Sequence, residues 1–294
     1  MPRMTTVRDL ARKLDKALAR PAEEGISSLP CVGAVCNLAR SKLHNVSAAC
    51  PIAVVILDGS KLLLHDGQSL TVPRGGMFLL PGGFEIAIEN IPAPDSGRFL
   101  SLCLSLDEST LARLASAGRA APAPAAFCLE ALRVAVDEPL RLALGHLLDM
   151  AATCPAHDRL LSICLDEVLL LAAERTASLP FVWHAATTWA VRCARLVAVD
   201  PGRSWTALEM ARRLGTSERT LRRMLAAEGT AVRTVLRTVR LNAALNLLQG
   251  GRTSVGEAAA RCGYDSASRF AAVFREHFGA SPSDVLRCNA VCGQ

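Results

Sequence analysis

Aromatic side chains are scarce, 4% of the 294 residues, so any core has to be built from Leu, Ala and Val; a hydrophobic content of 51% supplies enough of them. No apolar run reaches the ~18 residues that a membrane span needs. The opening stretch, MPRMTTVRDLARKLDKAL, is charged throughout and lacks the apolar segment of a secretory signal. These absences predict a soluble, cytoplasmic chain with no membrane partner. Cysteine is plentiful, eleven in all, yet there is no CxxC pair and no Cys/His spacing that would build a zinc site. The odd count, without a signal peptide, argues against a disulfide framework. Most of these cysteines read as small buried hydrophobes, and no cofactor is expected.

Lysine is missing altogether from Ala186 to Gln294. That segment holds 16 Arg against 8 acidic residues, a net +8, while the remainder carries −2. The whole basic excess therefore sits in the C-terminal part. Such an imbalance is the electrostatic footprint of a phosphate-binding module joined to a near-neutral one. The chain length also suggests about two domains at ~100–200 residues each.

In the N-terminal part, Thr6 to Leu18 has Val7, Leu10, Leu14 and Leu18 at helical spacing. From Cys31 to Leu106, short runs rich in Val, Ile and Leu alternate with turn residues. Asp58-Gly59 and Asp66-Gly67 are tight-turn signals between strands. This texture predicts a small antiparallel barrel or sandwich. An Ala/Pro-rich stretch from Ala120 to Ala126 reads as a loop. Two apolar-striped helices then follow, Pro139 to Ala152 and His157 to Ala173, joined by a turn at Cys154-Pro155. Leu140, Leu144, Leu147 and Leu148 share a face of the first. Leu160, Leu161, Cys164, Leu165, Val168, Leu169 and Leu171 give the second a wide apolar face, to be buried inside the domain or against a second copy. Leu179-Pro180 starts a connection, and a helix from about Ala185 to Val199 opens the basic part.

Two look-alike segments follow: ALEMARRLGTSERTLRRML from Ala207 to Leu225, and SVGEAAARCGYDSASRFAAVF from Ser254 to Phe274. Each is a short apolar-faced helix, a Gly (Gly215, Gly263), a polar turn and a second helix opened by a Ser. That is a helix-turn-helix outline, in tandem, over 207–227 and 255–278. In the first unit Leu208, Met210, Ala211 and Leu214 form the apolar side of the supporting helix. Ser217 is a natural N-cap, Leu221 and Leu225 point inward, and Arg219, Arg222 and Arg223 point out. Arginine can bond guanine edges bidentately, and some of the three would hold phosphates instead. In the second unit Val255, Ala258, Ala259 and Cys262 face inward, Ser266 or Asp265 caps, and Phe270 and Phe274 anchor. Its outward positions include Ala267, Ser268, Arg269, Ala271, Ala272 and Arg275, a chemically poorer set suited to backbone contacts and DNA shape. Ser217, Thr220, Arg219, Arg222, Arg223, Ser268, Arg269 and Arg275 are the expected DNA contacts. Between the units, Val232 to Gln249 reads as a rigid helix that sets the spacing of the two readers.

LARRLGTSERTLRR-like text at Met210 to Arg223, RLNAALNLL at Arg240 to Leu248, SVGEAAARCGYDSASRF, and FREHFGASPSDV at Phe274 to Val285 are, together, similar to the AraC/XylS family of bacterial transcription regulators. The resemblance covers roughly the last 105 residues. More loosely, EEGISSLP, the SKLLLHDGQ hairpin and RFLSLCLSLDESTLARL resemble the cupin-like N-terminal domain of one branch of that family. The chain departs from the family's pattern where Ala272 replaces a frequent Arg, and at Val285 and Leu225, where aromatics are common. The resemblance implies an α+β protein: a cupin-like β-barrel with a helical hairpin over 1–180, for regulation and dimerisation, and an all-α tandem helix-turn-helix domain over 181–294. It further implies a homodimer on double-stranded promoter DNA, contact with RNA polymerase, activation as the habitual outcome, and a small effector in the barrel.

An enzyme is not expected. Only His44 and His65 fall in the barrel and no HxH spacing exists, which excludes the metal site of cupin enzymes. No Ser/His/Asp or Cys/His set can be built, and a Cys nucleophile near the DNA module would have to be Cys193 or Cys262, both on apolar helix faces. The barrel is then a container for a small ligand. Val54, Ile56, Phe78, Leu80 and Phe84 are candidate lining residues, with Arg74 or Glu85 as polar handles, unless they are ordinary core and rim. A barrel that only dimerises or binds partner proteins is the alternative.

Overall fold

A computed structural model describes residues 5–18, 32–106, 110–113, 127–154, 157–177, 182, 185–251 and 253–289. The predicted Ala120–Ala126 loop, the Leu179-Pro180 connection, Pro155 of the hairpin turn and the expected domain boundary at 180/181 lie outside these residues. The first part comprises α1 (Val7–Leu18), then β1 (Val32–Asn37), β2 (Ser41–Val46), β3 (Ile52–Asp58), β4 (Ser60–His65), β5 (Gln68–Pro73), β6 (Met77–Leu80), β7 (Ile86–Ile91), β8 (Phe99–Ser105) and the short β9 (Arg133–Val134). The second part is helical: α2 (Glu138–Thr153), α3 (Asp158–Ala173), α4 (Trp189–Val199), α5 (Ala207–Arg213), α6 (Glu218–Ala227), α7 (Val232–Gln249), α8 (Val255–Arg261), α9 (Ala267–Phe278) and α10 (Pro282–Cys288). The chain is α+β, as its texture predicts.

The strands do not close into one barrel. Among the described residues they form two antiparallel sheets, β1-β8-β3-β6-β9 and β2-β7-β4-β5. Asp58-Gly59 shows why. The pair joins strands, but β3 is laddered to β6 and β8 while β4 is laddered to β5 and β7. The turn therefore carries the chain from one sheet to the other. Gly59 makes the passage at φ 72, so close to β7 that a Cβ would stand 2.4 Å from the Ile91 carbonyl oxygen; only glycine fits there. Asp66-Gly67, by contrast, closes the β4–β5 hairpin, with both residues at positive φ (46 and 76) as a type I′ turn requires.

The sheet containing β3 is covered on both faces, which explains why IAVVILD is apolar without alternation. Ala53, Val55 and Leu57, with Leu79, Leu100, Leu102 and Leu104, join α1, α2 and α3 in one core. Val54, Ile56, Phe78, Leu80 and Phe99 face the other sheet, against Leu43, Leu63, Leu70, Val72, Ile86 and Ile88. Arg98 fastens α1 to the sheet edge through Asp15 (2.8 and 3.1 Å) and Asp58 (3.3 Å). The hairpin of α2 and α3 buries the predicted stripes, but Leu160 belongs to the outer side. It is exposed there with Ile163 and Leu170 of α3 and Leu142 of α2.

The inter-sheet core continues into the second helix-turn-helix. Phe270, Phe274 and Phe278 of α9, with Leu241, Leu245 and Leu248 of α7, belong to the same buried cluster as Leu43 and Phe99. The seam is hydrogen-bonded. Asn45 donates to the His277 carbonyl (2.9 Å), the Ser47 N–H to Asn242 Oδ1 (3.0 Å) and the Leu38 N–H to the Cys288 carbonyl (2.8 Å). An amide relay crosses it: Asn90 Nδ2 to Asn37 Oδ1 (2.7 Å), Asn37 Nδ2 to Asn289 Oδ1 (2.6 Å), and Asn289 Nδ2 to the Leu248 carbonyl (2.9 Å). The first helix-turn-helix has its own core, around Val197, Met210, Leu221, Leu225 and Val239.

One residue of the sandwich interior is out of character. Lys61 alternates in phase with Leu63 and is 5% exposed. Burial pulls its ammonium down to about 8, against 10.5 for a free lysine. A base whose pKa is lowered by folding costs stability wherever both states are protonated, below about 8; the cost is relieved as pH rises from 8 to 10.5, where only the unfolded chain still binds the proton. At ~1.4 kcal/mol per unit, the relief amounts to about 3 kcal/mol at most. Denaturant melts of the wild-type chain and Lys61→Met across this range are expected to show a difference in favour of Lys61→Met at pH 7 that shrinks toward pH 10.5. A difference that stays constant with pH contradicts the assignment.

Candidate nucleic-acid interface

The two helix-turn-helix units are built alike. Thr206, Ser217, Ser254 and Ser266 cap α5, α6, α8 and α9, each hydroxyl accepting a backbone N–H three residues on. Of the two cap candidates before α9, Ser266 is therefore the one used. These bonds satisfy N–H groups that the first helical turn leaves orphaned. Gly215 and Gly263 make the turns at φ 68 and 75. In the first supporting helix Met210 and Ala211 are buried and Leu214 is half-buried, but Leu208 is 45% exposed. Ala207 takes the inward place instead, because 207, 210, 211 and 214 share one helical face.

On α6, Leu221 and Leu225 are fully buried, and Arg219, Arg222 and Arg223 are exposed on the opposite side. They are not equivalent. Arg222 is already engaged by Glu218, one turn back, through Nε (2.9 Å) and Nη2 (2.7 Å). Among the described residues Arg219 and Arg223 have no ion-pair partner. Ser217 and Thr220 hold each other, with hydroxyls 2.9 Å apart. On α9, Ser268, Arg269, Ala272 and Arg275 are exposed, while Phe270, Phe274 and Phe278 stack along the buried side at 5.4 and 4.6 Å. The seam with β2 lies at the far end of this helix, at His277 and Gly279, so the face bearing Ser268 and Arg269 stays open.

The sequence reading did not single out Arg212 at the end of α5 or Arg233 at the start of α7, both exposed and without an ion-pair partner among the described residues. Their available signal was only the general excess of arginine. Arg213 is occupied: it lies 5.3 Å from the Trp205 ring, which Arg203 also approaches at 5.0 Å, and both reach Glu209.

The residues expected to line an effector pocket do not gather at one point. Val54, Ile56, Phe78 and Leu80 are buried between the sheets. Phe84 is half-buried at the sandwich end, stacked on His65 (4.4 Å) and Phe127 (4.7 Å). Arg74 is turned outward and tied to Asp58 and Asp95, and Glu85 is exposed. The inter-sheet polar residues Lys61 and Asn90 were missed, although the two-residue alternation with Leu63 and Ile88 puts them on the inner face. Burial pushes the Cys193 and Cys262 thiols up to about 11, which leaves neither a ready nucleophile. Among the described residues no group of three or more His, Cys, Asp or Glu is placed to hold a metal, and no helix is long and apolar enough to cross a membrane.

Tandem capped helix pairs with an arginine face outward are the construction of a DNA-binding module, and comparison with known proteins agrees. Residues 210–287 match a family described as "Helix-turn-helix domain". Transcriptional regulator SirC of Salmonella typhimurium is 35% identical over 92 residues, 31% of each chain. The urease operon transcriptional activator of Escherichia coli is 36% identical over 88 residues, 30% of each chain. The chain thus spans about a third of the length of these relatives. A crystal structure of apo ToxT from Vibrio cholerae shares the fold across 88% of this chain and 97% of its own, at a TM-score of 0.62 and 16% identity. Residues 210–287 thus carry a helix-turn-helix domain similar to those of transcription regulators, in line with the resemblance of the motifs to the AraC/XylS family.

The caps allow a direct check. Ser217→Ala removes the hydroxyl that accepts the Thr220 N–H at 3.1 Å and is expected to cost about 1 kcal/mol. Thermal melts followed by circular dichroism measure it. An unchanged midpoint would show that this cap contributes nothing.

Proposed function

We propose that the chain is a sequence-specific transcription regulator that binds double-stranded promoter DNA as a homodimer, activates by engaging RNA polymerase, and answers to a small effector held in its N-terminal domain. The reading divides the chain near 180/181 into regulatory and DNA-binding parts. The observation that carries it is the exposed Arg219 and Arg223 on the capped α6, with no acid to neutralise them among the described residues. Such a helix, presented by a buried leucine face, enters a major groove with guanidinium groups toward base edges and phosphates. Arg222 must first leave Glu218, so its net contribution is smaller. Ser217 and Thr220 flank that contact, and Ser268, Arg269 and Arg275 lie on the outward side of α9 in the second unit. A ToxT structure in the same fold was solved with an unsaturated fatty acid bound, which supports a ligand-responsive N-terminal domain here. The uncovered Leu160, Ile163, Leu170 and Leu142 support association of two copies through the helical hairpin; partner proteins are the alternative occupants.

Arg223→Ala and Arg219→Ala are each expected to weaken binding to a selected operator by about 1–3 kcal/mol, with relaxed preference at one base pair if the residue reads a base. Arg222→Ala should cost less than either. Unchanged operator affinity in both Arg219→Ala and Arg223→Ala removes α6 from the groove. For the dimer, sedimentation of the full chain is expected to show two copies, and Ile163→Asp to shift it to one. A wild-type chain that stays monomeric at high concentration refutes the hairpin interface.

A further inference from the structure

Between the sheets lies a polar cluster that DNA binding does not use. Lys61 on β4 and Asn90 on β7 are register partners, so their side chains leave the sheet on one face about 5 Å apart. The Lys61 ammonium reaches across to the other sheet, where it stands 5.3 Å from the Phe99 ring centroid. Ser101 and Cys103 follow Phe99 at two-residue steps along β8 and share its face. Asn90 is 1% exposed and Ser101 fully buried. Among the described residues Lys61 has neither an ion-pair nor a hydrogen-bond partner. Asn90 Oδ1 also lacks a hydrogen-bond partner, and the Ser101 hydroxyl meets only the Cys103 thiol. Cys103 supplies no negative charge, since burial pushes its thiol up. A buried cation with no counter-ion, beside an acceptor with no donor, is costly unless something else fills both needs.

We infer that this cluster is a binding site for a small hydroxycarboxylate: the carboxylate lies against Lys61 and the Ser101 hydroxyl, and the hydroxyl of the ligand donates to Asn90 Oδ1. One negative charge matches one lysine. A carboxylate accepts from both the ammonium and the serine, and a hydroxyl is the neutral donor that Asn90 lacks. The surrounding Leu63, Val35 and Phe99 limit the rest of the ligand to a short apolar chain. The cluster lies near the edge strand β1. There Gly33, exposed and paired with the half-buried Cys103, has no side chain, and a Cβ would touch only the Cys103 Cβ at 4.0 Å.

The site rests on the effector reading and gives it a ligand class and a route. Asn90 is the first member of the amide relay through Asn37 to Asn289 and the end of α7. A ligand that draws on Asn90 therefore pulls on the seam holding the second helix-turn-helix.

The test is calorimetric titration of the full chain at pH 7 with 3-hydroxybutyrate, lactate, butyrate and 3-hydroxybutyramide, repeated on Lys61→Met and Ser101→Ala. A hydroxy acid is expected to bind saturably. Butyrate should bind about tenfold more weakly for want of the hydroxyl, and the uncharged amide more weakly still. Lys61→Met should abolish binding, and since it removes an unpaired buried charge its loss of binding is not a loss of folding; Ser101→Ala should weaken it. If none of the four compounds binds the wild-type chain, or if binding survives in Lys61→Met, the site is wrong. Operator titrations with and without the acid separate the two ideas. Acid binding at Lys61 that leaves operator affinity unchanged keeps the site and removes its effector role. A ligand response of DNA binding that persists in Lys61→Met keeps the effector and removes the site.

Discussion

The apolar core between the two sheets does not stop at the edge of the sandwich. It runs from Phe99 and Leu43 into Phe270, Phe274 and Phe278 as one buried cluster. Three stacked phenylalanines and a hydrogen-bonded seam seat α9 against β2, so separating the second helix-turn-helix from the sandwich would expose apolar surface and several backbone and amide partners together. The seating of α7 and of the second helix-turn-helix follows from that shared core.

An asymmetry between the two helix-turn-helix units results. The first has its own core, which includes α4, and Val191 of α4 meets the sandwich at Gly83, where a Cβ would stand 2.7 Å away. The second is anchored to the sandwich, and its outward face is mostly Ala and Ser. The outward arginines are thus concentrated on the more independent unit, and the unit with the poorer outward face is the one that shares a core with the sandwich. The α7 helix, buried by Val235 and Val239 on one side and Leu241, Leu245 and Leu248 on the other, belongs to both cores and is the rigid link between them.

Electrostatics divide the molecule in the same way. On the sandwich the charges are largely paired, as in the Arg98–Asp15–Asp58–Arg74–Asp95 network. On α6 two arginines stand unpaired in water, where they cost little and remain free to meet phosphate. Lys61 is the exception, a charge without a partner in the one place where that is expensive.

Much of this was legible in the amino-acid order. The helix bounds Val232–Gln249, the caps Ser217 and Ser266, the inward Leu221, Leu225, Phe270 and Phe274, and the β4–β5 hairpin at Asp66-Gly67 are local matters, decided by periodicity, hydroxyl geometry and the need for positive φ. What could not be read is whatever depends on a neighbour distant in the chain. Asp58-Gly59 looks like a hairpin turn until the strands it joins are seen to pair elsewhere. Arg74 looks like a pocket handle until Asp95 takes it outward. Arg222 looks equal to Arg223 until Glu218 closes on it. Local sequence determined the elements, the paired helices of each helix-turn-helix and the basic face, because helical period, capping and charge act over a few residues. Only the tertiary structure decided that the sheets stay separate, that the second reader shares the sandwich core, and that Lys61 is enclosed, because burial is a property of what the rest of the chain lays on top.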